Sequence, residues 1–340
     1  MAGTLKWYSF RWRFALLALL SIVWVSCYAG YRLYMAFTPY DMGTGPAGPP
    51  VAKAPFEVIW SQEKVLLVGI GDSITNGLGA SKKHNYFALL QHNDDEAYPD
   101  MAGRDLTAVL SNLEVHNYSL DYTTSQQHLE RQLPRVAVRP PDVKAIVVIT
   151  SGGNDLIHDY GRNEPVDGAM YGCTYKQAKA WTANIKQRLQ KLVEGINERF
   201  PGGCEIFLAN IYDPTDGVGD PQIRGLPRWR ACVKILALTN RKIAELCDAH
   251  DNVHLVDIHA EFLGHGFHCR QWWRKHYRKD DPYHWYFHNI EDPNPRGYDA
   301  IRRLFLIEMA KVLPERLAEV SVAGRKTLDV IPAKAGIQSE

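Results

Sequence analysis

"KVLLVGIGDSITNGLGAS", residues Lys64 to Ser81, is the stretch that decides how this chain should fold. Its first half is a run of Val, Leu and Ile, which is typical of a strand buried on both faces of a parallel sheet. Its second half is polar and rich in Gly, so the strand should end near Gly71 and leave the Ser73 hydroxyl exposed at its carboxyl end. Taken alone, Ser73 could also be the N-cap of a helix.

Four further apolar runs of strand length follow, at residues 113–117, 145–150, 205–211 and 253–257. Helical patterns separate them, most clearly where apolar residues recur every three or four positions from Trp181 to Phe200. Strands that alternate with helices predict βαβ units. We therefore expect an α/β fold, a three-layer α/β/α sandwich around a five-stranded parallel sheet. In such sheets functional residues collect at the carboxyl ends of the strands.

The N-terminal region departs from this pattern. Lys6, Arg11 and Arg13 precede an apolar run at residues 14–30, which is typical of a secretory signal or a membrane anchor. A buried core helix is the alternative. Since no clear cleavage site follows, we expect an uncleaved anchor with its basic end in the cytoplasm and the rest of the chain in the periplasm or outside the cell.

These patterns divide the chain into four predicted parts. They are an anchor at 1–37, a Gly- and Pro-rich linker at 38–62, an α/β domain at 63–316 and a disordered tail at 317–340.

Composition excludes several function classes. A formal net charge of +1 argues against a nucleic-acid partner. The six cysteines form no C-x-x-C pair, so a zinc site is not expected and the pairing of any disulfides stays open.

The Gly-rich turn after the first strand also fails the common nucleotide-binding patterns. Ile74 stands where a dinucleotide fingerprint needs its third Gly, and the Gly-Lys-Ser/Thr of a P-loop is missing. Thr75 replaces the second Gly of a Gly-x-Ser-x-Gly elbow. We expect neither a metal nor a cofactor.

A second polar stretch, "ITSGGNDLI" at residues 149–157, ends the third predicted strand. Its Asn154 amide would suit an oxyanion hole, because it can stabilise a developing negative charge without acting as a base. An isolated Asn in this position would instead be read as a turn residue. Together with Ser73 at a neighbouring strand end, Asn154 favours a catalytic site.

"GDSI" after the first strand and "GGND" after the third resemble blocks I and III of the SGNH, or GDSL, hydrolase superfamily, over residues 64–313. The resemblance implies a flavodoxin-like sheet and a nucleophilic Ser73 that forms an acyl-enzyme. It also implies oxyanion donors from the Ser73 backbone N–H, the Asn154 side chain and a block II Gly. Tyr122 occupies that Gly position, where only a backbone N–H survives.

The general base is harder to place. The family pattern is Asp-x-x-His-Pro-Asn, and aligning it on Pro293-Asn294 puts Asp292 at the His position and Asn289 at the Asp position. A carboxylate of ordinary pKa near 4 is a poor match for a serine proton. A literal Asp-x-x-His occurs at Asp281 and His284, in which Asp281 would orient the imidazole.

Two other histidines stay open as the base. His265 lies in "FLGHG", a pattern similar to one found in some members of the superfamily, and His288 lies four residues after His284. The aromatic residues at 272–287 would form an acyl- or sugar-binding wall, a membrane-facing lip, or merely a cap over the sheet.

The resemblance implies a serine esterase or acyl hydrolase that acts on a small ester, a lipid or an O-acylated envelope glycan. Two alternatives remain: acyl transfer to an envelope polysaccharide, and a glycan-binding domain that has lost catalysis.

Overall fold

The computed structural model describes residues 2–37, 40–289 and 291–328. Its centre is a five-stranded parallel sheet of order β2-β1-β3-β4-β5. The strands are β1 (Ser61–Gly71), β2 (Leu110–Asn117), β3 (Lys144–Thr150), β4 (Cys204–Ala209) and β5 (Val253–Val256). This order is that of flavodoxin-like folds, so the predicted fold class is confirmed.

The described residues form ten α-helices. They are α1 (Ala2–Phe37), α2 (Ser73–Asn76), α3 (Tyr86–Gln91), α4 (Leu106–Val109), α5 (Ser125–Gln127), α6 (Gly153–Ile157), α7 (Tyr175–Arg199), α8 (Cys232–Cys247), α9 (Ile258–Phe262) and α10 (Pro295–Leu328). Short 3-10 turns at Ala54–Glu57, Pro99–Met101, Leu133–Arg135 and Pro221–Arg224, and a π turn at His128–Gln132, complete the connections.

The side chains of β1 alternate between the two faces of the sheet and contribute to two hydrophobic cores. Val65 and Leu67 face one side, where α3 and α10 pack, whereas Leu66 and Val68 face the other side, where α7 and α8 pack. Because β1 is central and covered on both faces, its apolar run is continuous, and its carboxyl end is held rigidly. The strand order reverses between β1 and β3, which makes their carboxyl ends the expected place for a site.

Residues 40–60, in the Gly- and Pro-rich segment predicted as a linker, lie against the domain. Ala47 and Val51 are buried in the core on the α10 side, and Arg296 of α10 donates hydrogen bonds to the carbonyl oxygens of Thr44, Gly45 and Pro46. Gly48 adopts a φ of +88°, and a Cβ there would meet the Ala300 backbone at 2.7 Å. This close approach explains the Gly at position 48.

The predicted tail begins inside a helix. α10 continues past Pro314 to Leu328, and Leu317 is buried in the core. The predicted domain boundary at 316 therefore falls within α10, and the end of the predicted tail, residues 329–340, lies outside the described residues.

Helix α1 contains a candidate membrane span, Trp12–Met35, with a mean hydropathy of 1.8 and none of its most apolar window buried. Its last turns contact the domain. Arg32 donates to the Gln222 carbonyl oxygen at 3.1 Å, Arg224 donates to the Met35 carbonyl oxygen at 3.2 Å, and Met35 packs near Phe267.

Candidate active site

Ser73 lies at the carboxyl end of β1, as the first residue of α2. Asp72, not Ser73, is the N-cap, because its side chain accepts a hydrogen bond from the Ile74 N–H at 3.1 Å. The Ser73 hydroxyl is therefore free of the capping role considered above. Gly77, with a φ of +92°, ends this single helical turn.

Asn154 lies on α6, directly after β3. Its Nδ2 donates one hydrogen bond to the Thr123 carbonyl oxygen at 3.0 Å, so the second N–H of the amide remains for a ligand. Asn154 and Ser73 line the same cavity. The structure thus brings together the two residues singled out at neighbouring strand ends.

The loop after β2 carries Tyr122 in the left-handed region, with a φ of +61°. This conformation favours glycine, the residue that the block II pattern has at this position. The phenol points outward, since the side chain is 61% exposed and does not line the cavity. The phenol therefore does not narrow the cavity.

Buried polar groups brace these strand ends. The Gln132 side chain accepts from the Gly71 N–H at 2.9 Å and donates to the Gly71 carbonyl oxygen at 2.8 Å. His128 contacts the hydroxyls of Thr123 and Ser151, and burial lowers its pKa to about 3, so it is neutral. Its contacts fix the loop that supports Asn154.

The cavity beside Ser73 has a volume of about 140 Å³. Its walls are mainly apolar side chains of α6, α8 and the loops that precede α8. They include Leu156, Ile211, Leu226, Trp229, Val233 and Leu236. Within the described residues, no Lys, Arg or His lines this cavity. An uncharged, partly apolar ligand suits these walls.

Four carboxyl groups, those of Asp72, Asp213, Glu291 and Asp292, line the cavity that contains Ser73. Burial raises the pKa of Asp72 to about 7, and burial with the neighbouring Asp292 raises the pKa of Glu291 to about 8. Burial also raises the pKa of Asp292, and a hydrogen bond with Ser73 lowers it. No three His, Cys, Asp or Glu side chains of the described residues are arranged as metal ligands.

The structure places Asp281 and His284 elsewhere. Both carboxyl oxygens of Asp281 accept from Arg296 at 2.7 Å. His284 contacts the Gly266 carbonyl oxygen through Nδ1 at 3.0 Å, stacks on Tyr40, and has its pKa lowered to about 4 by burial. Neither residue lines the Ser73 cavity, and Asp281 is paired with a guanidinium instead of an imidazole.

His265 and His288 are also outside the cavity lining. The His265 ring stacks on Trp285 with ring centroids 3.5 Å apart, and burial lowers its pKa to about 3. His288 is exposed and packs beside Phe287. The assignment of a histidine base therefore stays a prediction. The structure gives no contact between Ser73 and His265, His284 or His288.

Two features of the site were not foreseen from the sequence. The carboxyl cluster depends on burial, which no local pattern reports, although the alignment on Pro293-Asn294 had already put Asp292 at the position of the base. The apolar wall comes from α8 and its preceding loop, which carry no catalytic motif.

Comparison with known proteins gives one family. The model of the GDSL-like lipase/acylhydrolase family matches residues 70–300. No curated protein matches the chain. Similar solved structures include the lipase Lip_vut3 from a goat rumen metagenome (16% identity, TM-score 0.47, 74% of this chain and 100% of that chain). They also include the extracellular lipase of Streptomyces rimosus (15%, 0.45, 73% and 99%) and the acetylxylan esterase Axe2 of Geobacillus stearothermophilus (16%, 0.44, 73% and 94%).

Proposed function

Because this chain belongs to the GDSL-like lipase/acylhydrolase family, we propose that it hydrolyses carboxylic esters through an acyl-enzyme formed on Ser73. One observation carries the proposal: the Ser73 hydroxyl and the Asn154 amide, from adjacent strand ends, open into the same cavity. The ester carbonyl carbon would lie against Ser73 and its oxygen would point to Asn154.

Asn154 would supply the electrostatic part of catalysis. Its free N–H, together with the backbone N–H groups of Ser73 and Tyr122, would stabilise the oxyanion of the tetrahedral intermediate. One such donor typically contributes about 3 kcal/mol to lowering the barrier. The left-handed conformation of Tyr122 supports its role as an oxyanion donor, because its backbone N–H can then be presented as that of a Gly would be.

The cavity favours an ester with an apolar acyl group. Leu156, Trp229 and Leu236 offer a surface for a hydrocarbon chain, whereas the Asp292 carboxylate would repel a substrate that is anionic near the reacting carbonyl. We therefore place lipid esters with uncharged groups at the scissile bond before acylated glycans as substrates.

We further propose that α1 anchors the domain to a membrane, with the domain on the extracytoplasmic side. Trp12–Met35 would be about 36 Å long at 1.5 Å per residue, enough to cross a hydrocarbon layer of about 30 Å. Lys6, Arg11 and Arg13 at its start favour a cytoplasmic N-terminus.

The domain would rest on the bilayer surface. Gln271 and Arg274 both donate to the Tyr31 hydroxyl near the end of α1. Between them in the chain, Trp272 and Trp273 are 73% and 57% exposed. Tryptophan is favoured at the level of lipid headgroups, so this pair would form the membrane-facing lip.

A binding domain that has lost catalysis is the second candidate. The observation that favours it is that no imidazole of the described residues lines the cavity. Such a protein would use the same cavity to hold an acylated ligand without cleaving it.

The test uses the full chain in detergent micelles. We expect it to hydrolyse p-nitrophenyl butyrate and to be labelled by a fluorophosphonate. Ser73→Ala should abolish both, whereas the control Ser81→Ala, which changes an exposed hydroxyl, should match the wild type. If the wild type shows neither reaction but binds a non-hydrolysable ester analogue, the binding candidate replaces the hydrolase.

A further inference from the structure

The loop before α10 delivers a carboxyl group to the nucleophile. Asp292 is 1% exposed, lines the cavity with Ser73 and interacts with the Ser73 hydroxyl. Its Oδ1 is buried and, among the described residues, accepts no hydrogen bond of good geometry. A buried carboxylate oxygen normally has a partner, so this one is available to a proton at the reacting centre.

Asn289 holds the other oxygen. Its Nδ2 donates to Asp292 Oδ2, and its Oδ1 accepts from the Asp292 N–H at 3.2 Å. The Phe287 N–H donates to the Asp292 carbonyl oxygen at 2.7 Å, which closes the loop around the pair. Asp292 therefore has a fixed side-chain orientation, with Oδ2 held by Asn289 and Oδ1 left unpaired.

We propose that Asp292 is the general base that takes the Ser73 proton and that Asn289 is its positioning residue, so the site works as a Ser73–Asp292–Asn289 triad without an imidazole. This inference rests on the ester hydrolysis proposed above. It concerns only which residue acts as the general base, so it can be wrong while Ser73 remains the nucleophile.

The surroundings of Asp292 adjust a carboxyl group to this role. Burial raises its pKa, while the nearby Ser73 hydroxyl and the hydrogen bond from Asn289 act in the opposite direction. A base works best when its pKa approaches the working pH, and a carboxyl group of raised pKa comes closer to that range. The titratable groups that face it are Asp72 after β1, Asp121 after β2, Tyr212 after β4, Glu291 in its own loop and Tyr298 of α10.

The chemical steps balance within this set of groups. Ser73 Oγ bonds to the ester carbonyl carbon, the carbonyl π electrons move to oxygen, and the Ser73 proton moves to Asp292. The carbon–alkoxide bond then breaks, and Asp292 returns the proton to the leaving alcohol. A water molecule repeats the sequence on the acyl-enzyme, which releases the carboxylic acid and restores both Ser73 and the Asp292 carboxylate.

The experiment measures kcat/KM for p-nitrophenyl butyrate from pH 4 to 9 with the full chain. Because the carboxylate is the active form, kcat/KM of the wild type should rise with pH as one group ionises, which gives the pH profile a single ascending limb. Asp292→Asn, which has the same shape, should lose this limb and lower kcat/KM about 10²- to 10⁴-fold. In the Ser73→Ala background, Asp292→Asn should cause no further loss, because residues that act as a unit are not additive.

Asn289→Ala tests the positioning role through the pH dependence of kcat/KM, which a merely structural role of Asn289 would not change. Removing its hydrogen bond removes an interaction that lowers the Asp292 pKa, so the limb should move to higher pH, by about one to two pH units, with KM little changed. A limb that stays in place would overturn the positioning role.

Three results would overturn the assignment of the base. They are near-wild-type activity of Asp292→Asn, loss of the limb in Glu291→Gln but not in Asp292→Asn, and loss of the limb only in His265→Gln or His284→Gln. In each case inactivity of Ser73→Ala would still uphold the hydrolase. Full activity of Ser73→Ala would instead contradict the proposed function itself.

Discussion

Replacing Asp72 with Asn should stabilise the protein at alkaline pH. Asp72 is 2% exposed, and burial is the main reason why its pKa rises from 3.8 to about 7. A group whose pKa is raised in the folded state contributes stability that is complete below about pH 4 and lost as the pH rises through about 7. Since a tenfold change in proton affinity corresponds to about 1.4 kcal/mol, ionising Asp72 costs roughly 4 kcal/mol of folding free energy.

Asn suits this test because it keeps the contacts of the residue. Its side-chain oxygen can still accept from the Ile74 N–H and from the Thr150 hydroxyl, and Asn is as good an N-cap as Asp. The only large change is the missing ionisation. We therefore expect Asp72→Asn to exceed the wild type in unfolding free energy by about 1 kcal/mol near pH 4.5 and by about 4 kcal/mol near pH 8.

The measurement is urea unfolding of the full chain in detergent, followed by tryptophan fluorescence at pH 4.5, 6 and 8. Asp142→Asn, which alters an exposed carboxyl group, is the control and should stay within about 0.5 kcal/mol of the wild type at each pH. A difference between Asp72→Asn and the wild type that is the same at pH 4.5 and pH 8 would refute the reasoning.

Two further changes test the oxyanion donor and the buried ion pairs. Asn154→Ala should lower kcat for p-nitrophenyl butyrate about 10²- to 10³-fold with little change in KM. The control Asn163→Ala, which changes an exposed side chain, should match the wild type in the same assay. Equal activity of the two variants would contradict the oxyanion role of Asn154. Asp299→Ala leaves the buried Arg302 without its carboxylate and should lower the unfolding free energy by about 3–5 kcal/mol in urea. Removing the largely exposed Lys311–Glu308 pair with Lys311→Ala should change it by less than about 1 kcal/mol, and similar losses in both variants would contradict this account.

The fold could be predicted from the sequence because its signals are local. Each strand is a short apolar run with a helical pattern between it and the next, and the structure confirms all five. Ser73 and Asn154 were found for the same reason: both stand directly after a strand, and parallel strands bring their carboxyl ends to one edge. The resemblance to the superfamily is likewise confirmed by the family match.

The surroundings of the base could not be read in this way, because they depend on contacts between distant residues. Asp281 and His284 have the spacing of a dyad, but Arg296, fifteen residues after Asp281, takes the carboxylate. Asn289 and Asp292 have the same spacing and do contact each other. An ordinary carboxyl pKa argued against Asp292, and burial in the folded chain is the main cause that raises this pKa.

The packing of residues 40–60 determines where a fragment of this protein can begin. A fragment that starts at residue 54 removes Ala47 and Val51 from the core and takes the carbonyl acceptors from Arg296 Nη1, whose two N–H groups each make a hydrogen bond worth roughly 1.5–3 kcal/mol. The same guanidinium also donates to Asp281 through Nη2. The stretch that resembles a tether is thus packed as a part of the domain, and we expect a fragment that starts at Tyr40 to be more stable than one that starts at residue 54.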